Sequence, residues 1–148
     1  MEQIDLNKRY QTMLTLWFAL LMSVVMYYVF QFIAAPPLNT EPRTQAESIL
    51  IVVLTMMGAI LVAVSFLVKK KFIEGSIDKQ DVNLVQQGMI AACAMCEVSA
   101  LLGLIERWVI GYRGYYLLFF FAAAGMLLHF PRRSQLDGAS FRSGNRPF

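Results

Sequence analysis

Two long runs of this sequence carry no charge at all, and a chain with such runs has few ways to fold. Residues 13–35 (MLTLWFALLMSVVMYYVFQFIAA) and 49–68 (ILIVVLTMMGAILVAVSFLV) contain 23 and 20 uncharged, mostly apolar residues. A helix needs about 20 such residues to cross roughly 30 Å of hydrocarbon. A third run, 84–105, carries one charge, Glu97, and a fourth, 115–130, has only 16 residues and borrows Tyr112 at its outer end. The runs are continuous rather than alternating, and in lipid a helix satisfies its own backbone groups. The expected fold is therefore all-α, an integral membrane four-helix bundle made of two hairpins. Its helices are expected at about 13–35, 49–68, 84–108 and 113–130, in one transmembrane domain over 1–130. A basic, mobile cytoplasmic tail is expected over 131–148.

Composition agrees with this reading. Hydrophobic residues make up 57% of the 148 and charged residues 16%, against about 45–50% and about 25% in soluble domains. A disordered chain, a disulfide scaffold and a soluble nucleic-acid binder are all excluded by it. The first run is longer than the roughly 7–15 apolar residues of a signal peptide, so it reads as a retained anchor. Pro36 and Pro37 supply its stop.

The cations set an orientation. Lys8, Arg9, Lys69, Lys70, Lys71, Lys79, Arg132, Arg133, Arg142 and Arg146 fall on one side of the four spans. Arg43, Arg107 and Arg113 fall on the other. By the positive-inside rule both termini are expected in the cytoplasm. The net charge of +3 is then explained by anionic headgroups, with Lys69, Lys70, Lys71, Arg132 and Arg133 as the headgroup contacts. No contiguous basic face suggests nucleic acid. Residues 36–48 are expected as the outer loop, 69–83 as the main cytoplasmic loop and 111–114 as a tight outer turn. Glu47 and Ser48 mark the start of the second helix. Trp17, Tyr27, Tyr28, Trp108, Tyr112, Tyr115 and Tyr116 are expected as an aromatic belt.

Glu97 is the residue with the most chemistry in reach. A charge at mid-helix costs several kcal/mol, about 2.5–3.5 for comparable residues on insertion scales. No Lys or Arg lies at matching depth, so Ser23, Thr55 and Ser99 are the expected hydrogen-bond partners. Around it Gly88, Ala92, Cys96, Ala100 and Gly103 form a small-residue ladder on which another helix can pack closely. The stretch Ala94-Met-Cys-Glu97-Val-Ser-Ala100-Leu-Leu-Gly103-Leu resembles the carboxylate helix of rotary ATP synthase c subunits. The resemblance extends over about 20 residues in all and implies that Glu97 binds a proton or cation. The whole chain, ending its last helix in His129-Phe-Pro-Arg132, also looks like small four-helix bacterial membrane proteins that have no assigned activity. That resemblance implies a bacterial inner (cytoplasmic) membrane.

Blander readings stand beside these. Glu97 can equally be a protonated interhelical contact or the partner of another subunit. Cys93 and Cys96 have redox spacing but sit mid-helix in lipid, where they read as packing residues. His129 reads as an interfacial histidine, and Glu106-Arg107 as a helix-end pair at the outer interface. Gln31, Gln86 and Gln87 fall towards helix ends, within reach of water. No catalytic motif is present, and no metal site or cofactor is expected. The expectation is a non-catalytic membrane protein, a subunit or scaffold of a larger complex. Its partners are membrane lipids and other membrane subunits or copies of itself, recruited through the small-residue faces of helix three and of Ala122–Gly125. The alternative is proton or cation handling through Glu97.

Overall fold

The second helix shows how local chemistry sets the boundaries. Thr44 and Glu47 form a capping box, Glu47 accepting from the Thr44 amide at 2.9 Å and Thr44 Oγ1 from the Glu47 amide at 3.3 Å. This reciprocal pair satisfies donors that a helix start otherwise leaves orphaned. In the computed structural model, which describes residues 2–38 and 44–140 (side chains from residue 6), five α-helices follow in order. They are α1 (Glu2–Ala34), α2 (Gln45–Lys79), α3 (Val82–Ile105), α4 (Tyr116–Leu128) and α5 (Arg133–Ser140). A π-helical turn, Glu106–Ile110, extends α3, and a 3-10 turn, Arg113–Tyr115, leads into α4.

α2 runs far past its expected end. The charged stretch after Val68, expected as a loop to residue 83, is helical to Lys79, and only Gln80 and Asp81 turn the chain. Gln80 adopts the left-handed conformation (φ 54°), and Asp81 accepts from the Asn83 amide at 2.9 Å to start α3. The reason lies in periodicity. Ser65, Lys69, Phe72 and Ser76 continue one helix face towards α3, while Lys70 and Glu74 pair across one turn at 3.8 Å. Apart from Lys69, the charges that resemble a loop form the outer face of a helix. At 1.5 Å per residue, its 35 residues reach roughly 50 Å, well beyond the roughly 30 Å of a bilayer core.

Among the described residues, three helical segments are long and apolar enough to cross a membrane: Leu6–Ala34, Gln45–Lys79 and Val82–Ile110. A fourth arises if Arg113–Leu128 and Arg133–Ser140, bent by 48° at their junction, are taken together. The helix after residue 113 is short, about 25 Å by itself. α3 is the central element, packed most extensively on α2 and then on α4 and α1. Half of its apolar window is buried, against 17% for α1.

Polar contacts tie the ends. Arg133 donates to Asn7 at 2.8 Å and Arg9 to Asn83 at 2.6 Å, which gathers the start of α1, the α2–α3 turn and α5. At the opposite end Arg107 donates to the Pro36 carbonyl at 2.5 Å. α4 stops before Phe130-Pro131, as a proline and its predecessor require. The segment beyond differs from the mobile tail expected. Arg133–Ser140 is helical because Leu136 and Ala139, three apart, bury one face against the bundle. Arg142 and Arg146, like Arg43, lie outside the described residues.

Candidate functional site

Ser23 and Tyr27 stand four residues apart on α1 and therefore share a face. Both hydroxyls meet Glu97 Oε1 of α3, Ser23 at 2.6 Å and Tyr27 at 3.1 Å. Glu97 itself remains half-buried. Of the three partners expected from the sequence, only Ser23 is there. Thr55 donates instead to Glu106 at 2.8 Å, and Ser99 is fully buried with no hydrogen-bond partner among the described residues. Tyr27 was expected in an aromatic belt, yet its spacing from Ser23 was the available signal. Trp17 also leaves the belt, since it is buried and its indole donates to the Met126 carbonyl at 2.8 Å.

Glu106 is the carboxylate that sequence reasoning misplaced. It was expected as a helix-end partner of Arg107 at the outer interface. The π-helical turn carries both residues inward: Glu106 is fully buried and Arg107 is 8% exposed. Among the described residues the two form no ion pair. Thr55 bonds one Glu106 oxygen, and the other, Oε2, is buried without a partner among the described residues. Arg107 reaches Pro36, and its guanidinium lies 5.8 Å from the centre of the Tyr115 ring. Gln31, expected within reach of water, is buried, and among the described residues both its amide atoms lack partners. Gln86 is half-buried and Gln87 exposed.

The small-residue ladder is used inside this chain. Gly88, Ala92, Cys96, Ala100 and Gly103 are all buried. A Cβ on Gly88 would lie 2.5 Å from Phe72 Cβ of α2. One on Gly125 of α4 would lie 2.8 Å from Cys96 Sγ. A Cβ on Gly103 would be 3.1–3.2 Å from Phe119 and Leu118. These faces, from which recruitment of partners was expected, are consumed by α2 and α4. Ala123 and Ala124 of α4 remain half-buried. Cys93 and Cys96 are free thiols, both buried.

A second polar cluster lies towards the α5 end. His129, expected at the interface, is 1% exposed, and its Nε2 meets Ser65 Oγ at 2.7 Å. Ser65 also lies 3.7 Å from Cys96 Sγ. Lys69, expected at headgroups, is 9% exposed and donates to the His129 carbonyl at 3.1 Å. Lys70, Lys71, Arg132 and Arg133 remain exposed. Along α2 and α3, then, hydroxyl, thiol and titratable groups form an interior seam from Lys69 to Glu106, while Glu97 faces α1.

No protein-family model, curated protein or solved structure matches this chain.

Proposed function

We propose that the chain is a small, non-catalytic multi-pass protein of a bacterial cytoplasmic membrane, acting as a subunit or scaffold of a larger membrane complex. Four spans and cytoplasmic termini complete the proposal. The positive-inside rule supports that orientation, since Lys79, Arg132 and Arg133 gather at the end where α1 starts and α5 packs. Lys79→Cys and Arg113→Cys variants should react with an impermeant thiol reagent from opposite membrane faces. Labelling of both from one face would refute the topology.

The observation that carries the subunit reading is the state of Glu97. Hydroxyls of α1 hold one oxygen, yet the side chain stays partly open at the centre of α3. Exposure of such a group to hydrocarbon costs several kcal/mol. A neighbouring subunit on the α1–α3 edge removes that cost. The edge is well suited to a neighbour, with Phe30 of α1 and Ile105 and Trp108 beside it all exposed.

One detail favours reversible protonation as a second reading. Ser23 Oγ lies 2.6 Å from Glu97 Oε1 and 2.7 Å from the Leu20 carbonyl. A hydroxyl has one proton, and a carbonyl only accepts. A protonated Glu97 donates to Ser23 and leaves the Ser23 proton for Leu20, so every contact is made. Native mass spectrometry of the protein in mild detergent, with wild type and Glu97→Gln side by side, separates the readings. The subunit reading expects a multimer or a defined hetero-complex in both. A strictly monomeric wild-type particle would overturn it. An assembled Glu97→Gln protein that loses proton flux in liposomes would establish the second reading.

A further inference from the structure

Where α2 leaves its uncharged run it packs against the α4–α5 junction, and a pocket of about 360 Å³ lies between them. Phe66, Lys69 and Lys70 of α2 line it together with His129, Phe130 and Arg132. Three cations on one pocket are unbalanced. Glu74 also borders it, but its carboxylate faces Lys70 at 3.8 Å. Lys69 is only 9% exposed and has no acidic partner among the described residues. Its bond to the His129 carbonyl uses one of three ammonium donors. A buried cation without a counter-charge is unfavourable, and an anion in the pocket relieves it.

Counting protons specifies what else a ligand must bring. Ser65 Oγ lies 2.6 Å from the Val62 carbonyl and 2.7 Å from His129 Nε2. The carbonyl takes the single Ser65 proton, so His129 Nε2 must be the donor to Ser65. A neutral imidazole protonated at Nε2 has an acceptor lone pair at Nδ1. That atom is buried without a partner among the described residues, and so is Oε1 of Gln135; both residues line the pocket. The site therefore calls for an anion and for hydroxyl donors in one molecule. Phe66 and Phe130 at its rim are exposed and apolar, 39% and 42%, which suits acyl chains.

We propose that this pocket holds the headgroup of one anionic phospholipid bearing headgroup hydroxyls, of phosphatidylglycerol type. Its phosphate sits among Lys69, Lys70 and Arg132, and its hydroxyls donate to His129 Nδ1 and Gln135 Oε1. The inference rests on the membrane-spanning reading, which fractionation of the wild-type chain tests separately. It does not depend on the subunit reading.

The test is native mass spectrometry of the full chain in a neutral detergent with three lipids of matched acyl chains. Phosphatidylglycerol should be retained at one per chain, ahead of phosphatidylmethanol, which has the same charge but no headgroup hydroxyl. Phosphatidylcholine should be retained least. Lys70→Gln and Arg132→Gln, at exposed side chains, should each weaken retention about fivefold. Lys69→Gln should weaken it about tenfold, and Lys71→Gln, outside the pocket, should leave it unchanged. Should Lys69→Gln fail to fold, the two exposed variants carry the test. Equal retention of the three lipids, or equal losses from Lys70→Gln and Lys71→Gln, would reduce the effect to diffuse attraction and overturn the proposal. Equal retention of phosphatidylglycerol and phosphatidylmethanol also overturns it. So does displacement of the lipid by millimolar inorganic phosphate, which would mark a soluble phosphate site.

Discussion

Replacing Gly88 by alanine should lower the stability of the bundle by about 1–3 kcal/mol, the usual cost of overpacking. The added Cβ would lie 2.5 Å from Phe72 Cβ and 3.1 Å from Phe72 Cγ. Phe72 Cβ is bonded directly to the α2 backbone and cannot rotate away, so relief requires α2 and α3 to separate. Gly58 is a weaker case, although its added Cβ would overlap the tip of Leu118 and approach Ser99 Oγ at 2.9 Å. A leucine tip can swing into a new rotamer, so Gly58→Ala should cost less than Gly88→Ala. Gly75 supplies the control: apart from its own stretch of helix, no atom of the described residues lies within 4 Å of where its Cβ would be. There alanine should stabilise the helix, by up to about 1 kcal/mol. Thermal unfolding in mild detergent gives the ranking. An unchanged Tm for Gly88→Ala would mean that the helices do not meet at this glycine.

Much of the architecture was legible because long uncharged runs permit little else in lipid. Residues 13–34 and 49–68 fall inside helices, and the small residues of α3 are where its neighbours approach. The errors share a physical origin. Lys69, Lys70 and Lys71 look like the start of a loop when charge alone is counted, but a helix presents its faces every 3.6 residues. On that count Lys69 falls on the same side as Ser65 and Phe72, facing α3, while its two neighbours face outward. Likewise Glu106 and Arg107 resemble a helix-end pair until a π-helical turn rotates both inward. Nothing in the local sequence announces that turn, which depends on how α3 meets α2 and the Arg113–Tyr115 turn. Partner choice at Glu97 was a matter of register between helices. Ser23 was found as a hydroxyl near mid-span, whereas Tyr27 required knowing which face of α1 meets α3. Leu136 and Ala139 show the opposite case, since their spacing of three was readable and the Gly/Ser content around them obscured it.

Thr55→Val should prove one of the more damaging single changes in the bundle, with its cost depending entirely on Glu106. Thr55 Oγ1 is the only hydrogen-bond partner of the Glu106 carboxyl among the described residues, at 2.8 Å, and Glu106 is fully buried. Removing that donor leaves both carboxyl oxygens unsatisfied, which costs about 1–3 kcal/mol. Glu106→Leu is the milder change. The orphaned Thr55 hydroxyl can turn back to the carbonyl four residues earlier on its own helix. In Thr55→Val/Glu106→Leu both polar groups are gone and an apolar contact replaces them, so stability should return to near the wild-type value. The two changes are therefore strongly non-additive, with a coupling of about 1–3 kcal/mol that rescues the double variant. Denaturation of all four proteins in the same detergent measures it. An equal cost of Thr55→Val in the presence and absence of Glu106 would show that the hydrogen bond does not form. The cycle also separates structure from role at this end of the protein. A Glu106→Leu variant that unfolds like the wild type but loses an activity retained by Thr55→Val would assign that activity to the buried carboxyl itself.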